Sequence, residues 1–378
     1  MKLVEAFPTG SPTPSGQFNI NMIERAAPRR SKPSAQKIAD SWRQADESLG
    51  QVTSAMLNAA QAPGVLGEAA KYQLGGTAKR LRARMALALG HAFQTDLNTV
   101  VKIAAACELL HEASLVHDDL QDQDTMRRGR KAVWVAYSPE LAITLGDWFI
   151  NQAYDVILSV DVSATTTRQL ARSLAKAVGD TVRGQAIENE AKTNLNATTS
   201  DYIDMAAGKT APLLAFPLEA VCAVAGRSQR ECAAIRSGLE CLGGAYQLRD
   251  DLIDLLGDKG RGDGGADLVE GKATLPVVVY YRDGSAEQRQ SLERFLKSPR
   301  EERENQVAFW VQEILNSRAF DEVRDTVDGL MDMGFRYLND SPVEVSMLCK
   351  RLFGKLIGPV ERPTNSESRI KENRGGIS

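Results

Sequence analysis

The sequence predicts an all-α protein: one helical bundle over residues 36–360, with a flexible arm before it (1–35) and a disordered tail after it (361–378). Three observations carry this. Apolar residues recur at helical spacing, as in Leu97, Val100, Val101, Ala104, Cys107 and Leu110, a run that continues through Leu115. Helix-start signals recur too: Ser285 with Gln288 forms a capping box, and Ser298-Pro299 with Glu301 places Ser at the N-cap, Pro at the first position and Glu at the third. Finally, the one strand-like run, Val277 to Tyr281, follows Pro276 and has no second strand to pair with, so it reads as a buried helical turn.

In chain order, residues 1–35 mix Pro, Ser, Gly and Thr without a periodic apolar face. Residues 25–37 are basic (Arg25, Arg29, Arg30, Lys32, Lys37), but Glu5 and Glu24 weaken a transit-peptide reading and favour a disordered leader. The helical pattern then runs on until Gly257 to Gly265 (GDKGRGDGG), where glycine density predicts a mobile loop. It resumes and fades at about residue 361. No repeat of fixed period stands out.

Bulk composition removes several classes of function. With 43% hydrophobic residues in 378, the chain can bury one large core or two modest ones. A net charge of -3 gives no global positive field for nucleic acid. Five scattered cysteines (Cys107, Cys222, Cys232, Cys241, Cys349) show neither metal-site nor disulfide spacing, which fits a reducing cytoplasm. No apolar run approaches the roughly 20 residues of a membrane span, and the N-terminus lacks a secretory apolar core.

Chemistry concentrates in two aspartate clusters. In Asp118-Asp119-Leu120-Gln121-Asp122, positions i and i+4 stack on one helix face with i+1 beside them. Three such carboxylates repel one another unless cations sit between them. Oxygen-only ligands suit magnesium, which completes its shell with water and substrate phosphate. A solvated acidic face is the ordinary alternative, but the cluster ends an apolar helix and is followed by Arg127-Arg128-Gly129-Arg130. Asp250-Asp251-Leu252-Ile253-Asp254 repeats the pattern after the apolar stretch Leu242 to Leu248. Two acidic patches facing each other across a bundle would clamp a diphosphate through several metals. Cations accompany them: Lys79, Arg80 and Arg82 after Gly75-Gly76, then Lys209-Thr210, then Lys272. Any one of these lysines alone reads as a surface residue; their value lies in the ensemble.

From Gly75 to Pro276 the chain closely resembles the trans-prenyl diphosphate synthases. Glu108 to Gly129 (ELLHEASLVHDDLQDQDTMRRG) resembles the first aspartate-rich region of that family, and Tyr246 to Pro276, ending in DLVEGKATLP, resembles the second. Gly184-Gln185 and Lys209-Thr210 fall in order between them. The resemblance implies a single-domain bundle of the isoprenoid (terpenoid) synthase type with a central active-site cavity. It implies a homodimer, and a magnesium-dependent enzyme with three Mg2+ per site that joins isopentenyl diphosphate to dimethylallyl, geranyl or farnesyl diphosphate. Asp118, Asp119, Asp122, Asp250, Asp251 and Asp254 would then bind the metals. Arg127, Lys209 and Lys272 would contact the allylic diphosphate. Lys79, Arg82, His111 and Arg128 would hold isopentenyl diphosphate, with Thr210 and Gln247 lining the space where the allylic cation forms.

Three departures stand out. Thr77 and Ala78 intervene between the glycine pair and Lys79; Arg261-Gly262 stands where the family carries Gly-Lys; and Glu188 follows Gly184-Gln185 where Asp is frequent. Arg261 or Lys259 would replace the loop lysine. Competing readings fare worse. A class I terpene cyclase would carry an Asn/Ser/Glu-type second motif, and a P-loop enzyme would need Ser or Thr after Lys272 and Gly at Ala266. A non-catalytic subunit of a heteromeric synthase would lack one aspartate motif. No Ser–His–Asp or Cys–His arrangement surrounds His111 or His117. Residues before the first motif bear on product length. Ala113 and Ser114 are too small to stop growth at fifteen carbons, and Leu110, one turn back at about 5 Å, would stop it at geranylgeranyl. Cys107 is the next candidate floor, and a longer polyprenyl product is the second possibility.

Overall fold

The computed structural model describes residues 34–257 and 264–361. The expected arm up to residue 33, the tail from 362, and loop residues 258–263 with Lys259 and Arg261 lie outside them. Within the described residues the chain is helical: α1 Ala35–Ala59, α2 Gly64–Leu74, α3 Leu81–Phe93, α4 Leu97–Gln121, α5 Val133–Ala136, α6 Pro139–Leu158, α7 Ala164–Ala191 and α8 Thr199–Val224. After these come α9 Gln229–Leu256, α10 Ala266–Val269, α11 Leu275–Asp283, α12 Ala286–Lys297, α13 Arg300–Asn316, α14 Arg318–Tyr337 and α15 Val343–Leu356. The strand-like run Val277 to Tyr281 is helical, as expected, inside α11.

One small amendment to the all-helical expectation lies after the first motif. There β1 (Met126–Arg127) and β2 (Arg130–Lys131) pair antiparallel around Arg128-Gly129, both of which have positive φ. A two-residue turn of this hand needs that backbone, which glycine adopts freely and Arg128 only when held. A second amendment concerns Ser298. It does not start a helix: α13 begins at Arg300 behind Pro299, with no side-chain cap. Ser298 closes α12 instead, its hydroxyl donating to the Phe295 carbonyl at 2.8 Å while its own carbonyl accepts from Arg303. The capping box at Ser285 and Gln288 is present.

α4 and α8 form the middle of the bundle. α4 packs on α6, α3, α1 and α8, and α8 packs on α9, α7, α3 and α4. Both are apolar on nearly every face, with Ile103, Cys107, Leu109, Phe216 and Leu218 fully enclosed, as expected of a helix wrapped by others. α8 is long and apolar enough to cross a membrane, alone in this among the described helices, yet most of that stretch is buried against its neighbours. Lys209 interrupts the apolar character of the helix.

Two prolines shape α8. Pro217 has no N–H to offer the Leu213 carbonyl one turn earlier, and the thiol of Cys107 on α4 donates to that carbonyl at 3.3 Å. Pro212 likewise leaves the Gly208 carbonyl without its helical donor, at the place where α7 comes closest. There Gly184 meets Gly208 backbone to backbone: a Cβ on Gly184 would lie 2.5 Å from the Gly208 carbonyl carbon and the Lys209 nitrogen. That contact sets how near the polar face of α7 comes to Lys209. Gly184→Ala should therefore destabilise the fold by about 1–3 kcal/mol, the usual cost of overpacking, whereas Gly179→Ala, with open space at its Cβ, should stabilise or be neutral. Thermal melts of the two variants compare them directly; equal melting temperatures would show that α7 can retreat freely.

Candidate active site

The first aspartate cluster lies where α4 stops. Asp118 and Asp119 are in its last turn and Asp122 is its C-cap. Anions at a helix C-terminus oppose the dipole, and here they are largely desolvated as well, so each requires a cation. Three different elements supply them. Lys209 of α8 stands 3.6 Å from Asp118 and 2.6 Å from Glu188 of α7. Arg127 of the hairpin donates through Nε at 2.7 Å, and through Nη2, to Oδ1 of Asp119. Lys192, capping the end of α7, pairs with Asp122.

Burial pushes the Asp118 carboxyl above its usual range; Lys209 works against this and Glu188 adds to it. Burial raises Asp119 as well, against the bond from Arg127. Oδ2 of Asp119 is buried and has no hydrogen-bond partner among the described residues.

The second cluster lies near the end of α9. Asp251, nearly fully buried, accepts from the Tyr202 hydroxyl at 2.7 Å and from Gln247 at 3.2 Å. Burial, joined by the charge of Asp267, pushes Asp251 up to about 8. Asp250 beside it is half-buried. Asp254 faces the base of the glycine-rich loop, its carboxylate accepting the Asp267 amide at 3.0 Å and its carbonyl the amides of Gly257 and Gly265. Lys272 pairs with Glu270 at 2.5 Å and with Asp267 at 3.3 Å.

α7 and α8 bring the two clusters together. Lys209 of α8 reaches Asp118 while Tyr202, two turns earlier on the same helix, reaches Asp251. The Ala273 amide, just after Lys272, donates to the Lys192 carbonyl at 2.7 Å, tying the second motif's loop to the residue that pairs with Asp122. No three Asp, Glu, His or Cys side chains form a ready-made metal nest among the described residues, because the aspartates are engaged one by one. Their chemistry nonetheless suits a hard divalent cation. All the donors are carboxylate oxygens, the buried Oδ2 of Asp119 lacks a hydrogen-bond partner among the described residues, and positive charge beside Asp251 would offset the burial that disfavours its ionised form.

The residues expected to hold isopentenyl diphosphate gather between the start of α3, the middle of α4 and the hairpin. Lys79 is exposed, and Arg82 is half-buried with Nε enclosed and unpartnered among the described residues. Arg128 donates to Glu112 at 3.0 Å. Thr210 follows Lys209 on α8 and is half-buried. Along α4, Leu110, Ala113 and Cys107 are closed into the core, whereas Ser114 stays partly open with its hydroxyl donating to the His111 carbonyl at 2.8 Å.

Sequence reasoning passed over Lys192, Tyr202, Asp267, Glu108 and Glu112, noticed Arg80 only as one of a cationic group, and took Glu188 only as a departure. A signal existed for two of these: Glu188 and Lys192 follow Gln185 at intervals of three and four, which puts all three on one face of α7. Gln185 and Asn189 on this side both donate to Gln121.

Burial, with the charges of Arg82, Arg128 and Arg80, holds His111 well below its ordinary value of 6.5. The unfolded chain takes up a proton there near 6.5 and the folded chain does not, so stability falls as pH drops below that value. The melting-temperature advantage of wild type over His111→Gln should shrink between about pH 7.5 and 5.5, at up to about 1.4 kcal/mol per pH unit. A constant or growing advantage on acidification would mean that the histidine is charged in the folded state.

Comparison with known proteins agrees with this geometry. The polyprenyl synthetase family profile matches residues 63–314. The chain is 33% identical over 239 residues to the short chain isoprenyl diphosphate synthase of Methanothermobacter thermautotrophicus, covering 62% of this chain and 73% of that one. It is 30% identical to the all-trans-nonaprenyl-diphosphate synthase (geranyl-diphosphate specific) of Rhodobacter capsulatus, over 66% of this chain and 75% of that one. Among solved structures, the fold is similar to geranylgeranyl pyrophosphate synthetase from Pyrococcus horikoshii, with a TM-score of 0.74 at 24% identity over 86% of this chain and all of that one. A family profile that runs from α2 into α13, and so contains both aspartate clusters and the helices that join them, makes the chain a member of the polyprenyl synthetase family and a prenyltransferase.

Proposed function

We propose that the protein condenses isopentenyl diphosphate with an allylic diphosphate in a magnesium-dependent ionisation, condensation and elimination, and that its product is geranylgeranyl diphosphate. One observation carries this reading most directly: the three aspartates of the first motif each meet a cation from a different element, on the helices that also reach the second motif. Asp118, Asp119 and Asp122 on one side, with Asp250 and Asp251 on the other, would hold the metal. Asp254, whose carboxylate accepts the Asp267 amide, would complete the metal-binding set on that second side. Magnesium bound there supplies positive charge against the leaving diphosphate.

The chain's own residues do the rest. Arg127, Lys209 and Lys272 exchange carboxylate partners for diphosphate oxygens. Lys79, Arg82, His111 and Arg128 receive isopentenyl diphosphate, His111 as a neutral hydrogen-bonding group. The enclosed faces of α4 and α8 exclude water from the allylic cation, while Thr210 and Gln247 present dipoles to it. The proton is lost to the departed diphosphate, so no side-chain nucleophile is needed.

Asp118→Asn and Asp250→Asn should each lower turnover by at least about 10²–10³-fold at saturating magnesium while the far-ultraviolet circular dichroism is retained. Radiolabelled isopentenyl incorporation reads this out, and near-wild-type turnover in either variant would sink the two-motif reading.

The relatives include short-chain and nonaprenyl synthases, so product length rests on this chain's own residues. Ser114, the partly open position, borders the path of the tail, and enclosed Leu110 forms its floor. Phe at Ser114 or at Ala113 should shorten the product to farnesyl diphosphate in reverse-phase analysis of dephosphorylated products. An unchanged product from folded, active variants at both positions would place the tail elsewhere and leave longer polyprenyl products as the alternative.

The assembly should be a homodimer in the reducing cytoplasm, in keeping with five free cysteines. Exposed Ile143 and Leu158 on α6, with Val182 and Ile187 on α7, offer apolar faces for pairing. Light scattering of the full chain at micromolar concentration should give twice 41.1 kDa; a fully active monomer contradicts it.

A further inference from the structure

Next to the proposed isopentenyl side of the site lies a buried ionic network centred on Glu112, a residue to which the proposed reaction assigns no role. Glu112 of α4 has no exposed surface, yet its carboxylate receives donors from three separate elements. Gln73 at the end of α2 donates at 2.7 Å, Arg80 ahead of α3 at 2.8 Å, and Arg128 in the hairpin turn at 3.0 Å. Arg80 also donates to Glu108 at 3.3 Å and to the Leu74 carbonyl at 3.3 Å, and Glu108 accepts the Ala83 amide at 3.0 Å. Arg80 and Arg128 both stand in the left-handed backbone region, with φ of 46° and 52°. Such conformations persist only where the surroundings over-determine them, and in both cases the common partner is Glu112.

The geometry points to Glu112 as a positioning residue for isopentenyl diphosphate: it fixes the guanidinium of Arg128 and, through Arg80, the register of Lys79 and Arg82. This rests on the reading that Arg128 contacts isopentenyl diphosphate. It also accounts for the two extra residues after the glycine pair. Arg80 is tied back to the end of α2 and inward to α4, so Thr77 and Ala78 are accommodated ahead of it and the cationic run starts from a fixed point. A carboxylate is required at position 112 because two guanidiniums meet there, and Glu108 alone cannot neutralise both. The amide of a glutamine would present a donor where both arginines already donate.

The test uses the full chain and follows both substrates separately. Glu112→Gln should raise the KM for isopentenyl diphosphate by about tenfold or more and leave the KM for geranyl diphosphate within about twofold. Its kcat at saturation should also stay within about threefold of wild type. Calorimetric titration with isopentenyl diphosphate alone should show the same loss. The double variant Gln73→Glu with Glu112→Gln returns a carboxylate to the same cluster and should recover most of the binding.

Arg128→Gln is measured alongside. If it leaves isopentenyl binding unchanged, the assignment of Arg128 fails and this inference with it. If Arg128→Gln weakens binding but Glu112→Gln does not, or Glu112→Gln raises both KM values alike, the positioning role alone is overturned. Should Glu112→Gln fail to fold, Gln73→Leu, which removes one orienting bond and keeps the charge, should raise the isopentenyl KM by about threefold with the geranyl KM unmoved. No change there overturns the role too.

Discussion

Anions placed at the ends of apolar helices are the constraint to which the rest of this structure answers. α4 and α9 are core helices that terminate in clustered carboxylates, where desolvation and the helix dipole both disfavour negative charge. The hairpin after α4, the polar face of α7 and Lys209 within α8 each deliver a cation to one of those carboxylates. Removing the acidic clusters would leave these cations as a second set of uncompensated charges. The same groups therefore keep the bundle electrically balanced and, on the proposed function, would receive a charged ligand by exchanging partners.

α8 is the element that makes this balance possible. It is apolar enough to fill the middle of the bundle, yet it carries Tyr202 and Lys209 toward the two acidic clusters. Its prolines open carbonyls that neighbouring helices approach, and its glycine lets α7 come within backbone contact. A bulkier pairing at Gly184 and Gly208 would push Glu188 away from Lys209, and with it one of the counter-charges of the first motif.

The two halves of the site differ in kind. Cations assigned to the allylic side by the proposed function pair with carboxylates that range from buried Asp119 to partly open Asp122, Glu188 and Glu270, which a metal and a diphosphate could take over. Behind the side assigned to isopentenyl diphosphate by the proposed function, Arg80, Arg128, Glu108 and Glu112 form a buried network. Exchangeable pairs suit a group that leaves during the reaction, and a fixed network suits a substrate that must be held in register while its double bond attacks.

By itself the sequence determined the helical class, because apolar periodicity and capping chemistry are local and α11 or the box at Ser285 needs no distant partner. It also determined the acidic clusters and most of the cations that face them, since charge at fixed helical spacing is visible along one strand of text. Ser298 shows the limit even of local signals: its hydroxyl had two possible employments, and in the fold it closes α12, with its carbonyl taken by Arg303, rather than starting α13. Tertiary structure alone decided that Lys192 answers Asp122, that Tyr202 reaches Asp251 and that Glu112 joins Gln73, Arg80 and Arg128. These partners are 70, 49, 39, 32 and 16 residues apart in sequence. No periodicity links residues that far apart; only the folding of α7, α8 and the hairpin around α4 brings the charges within hydrogen-bonding reach.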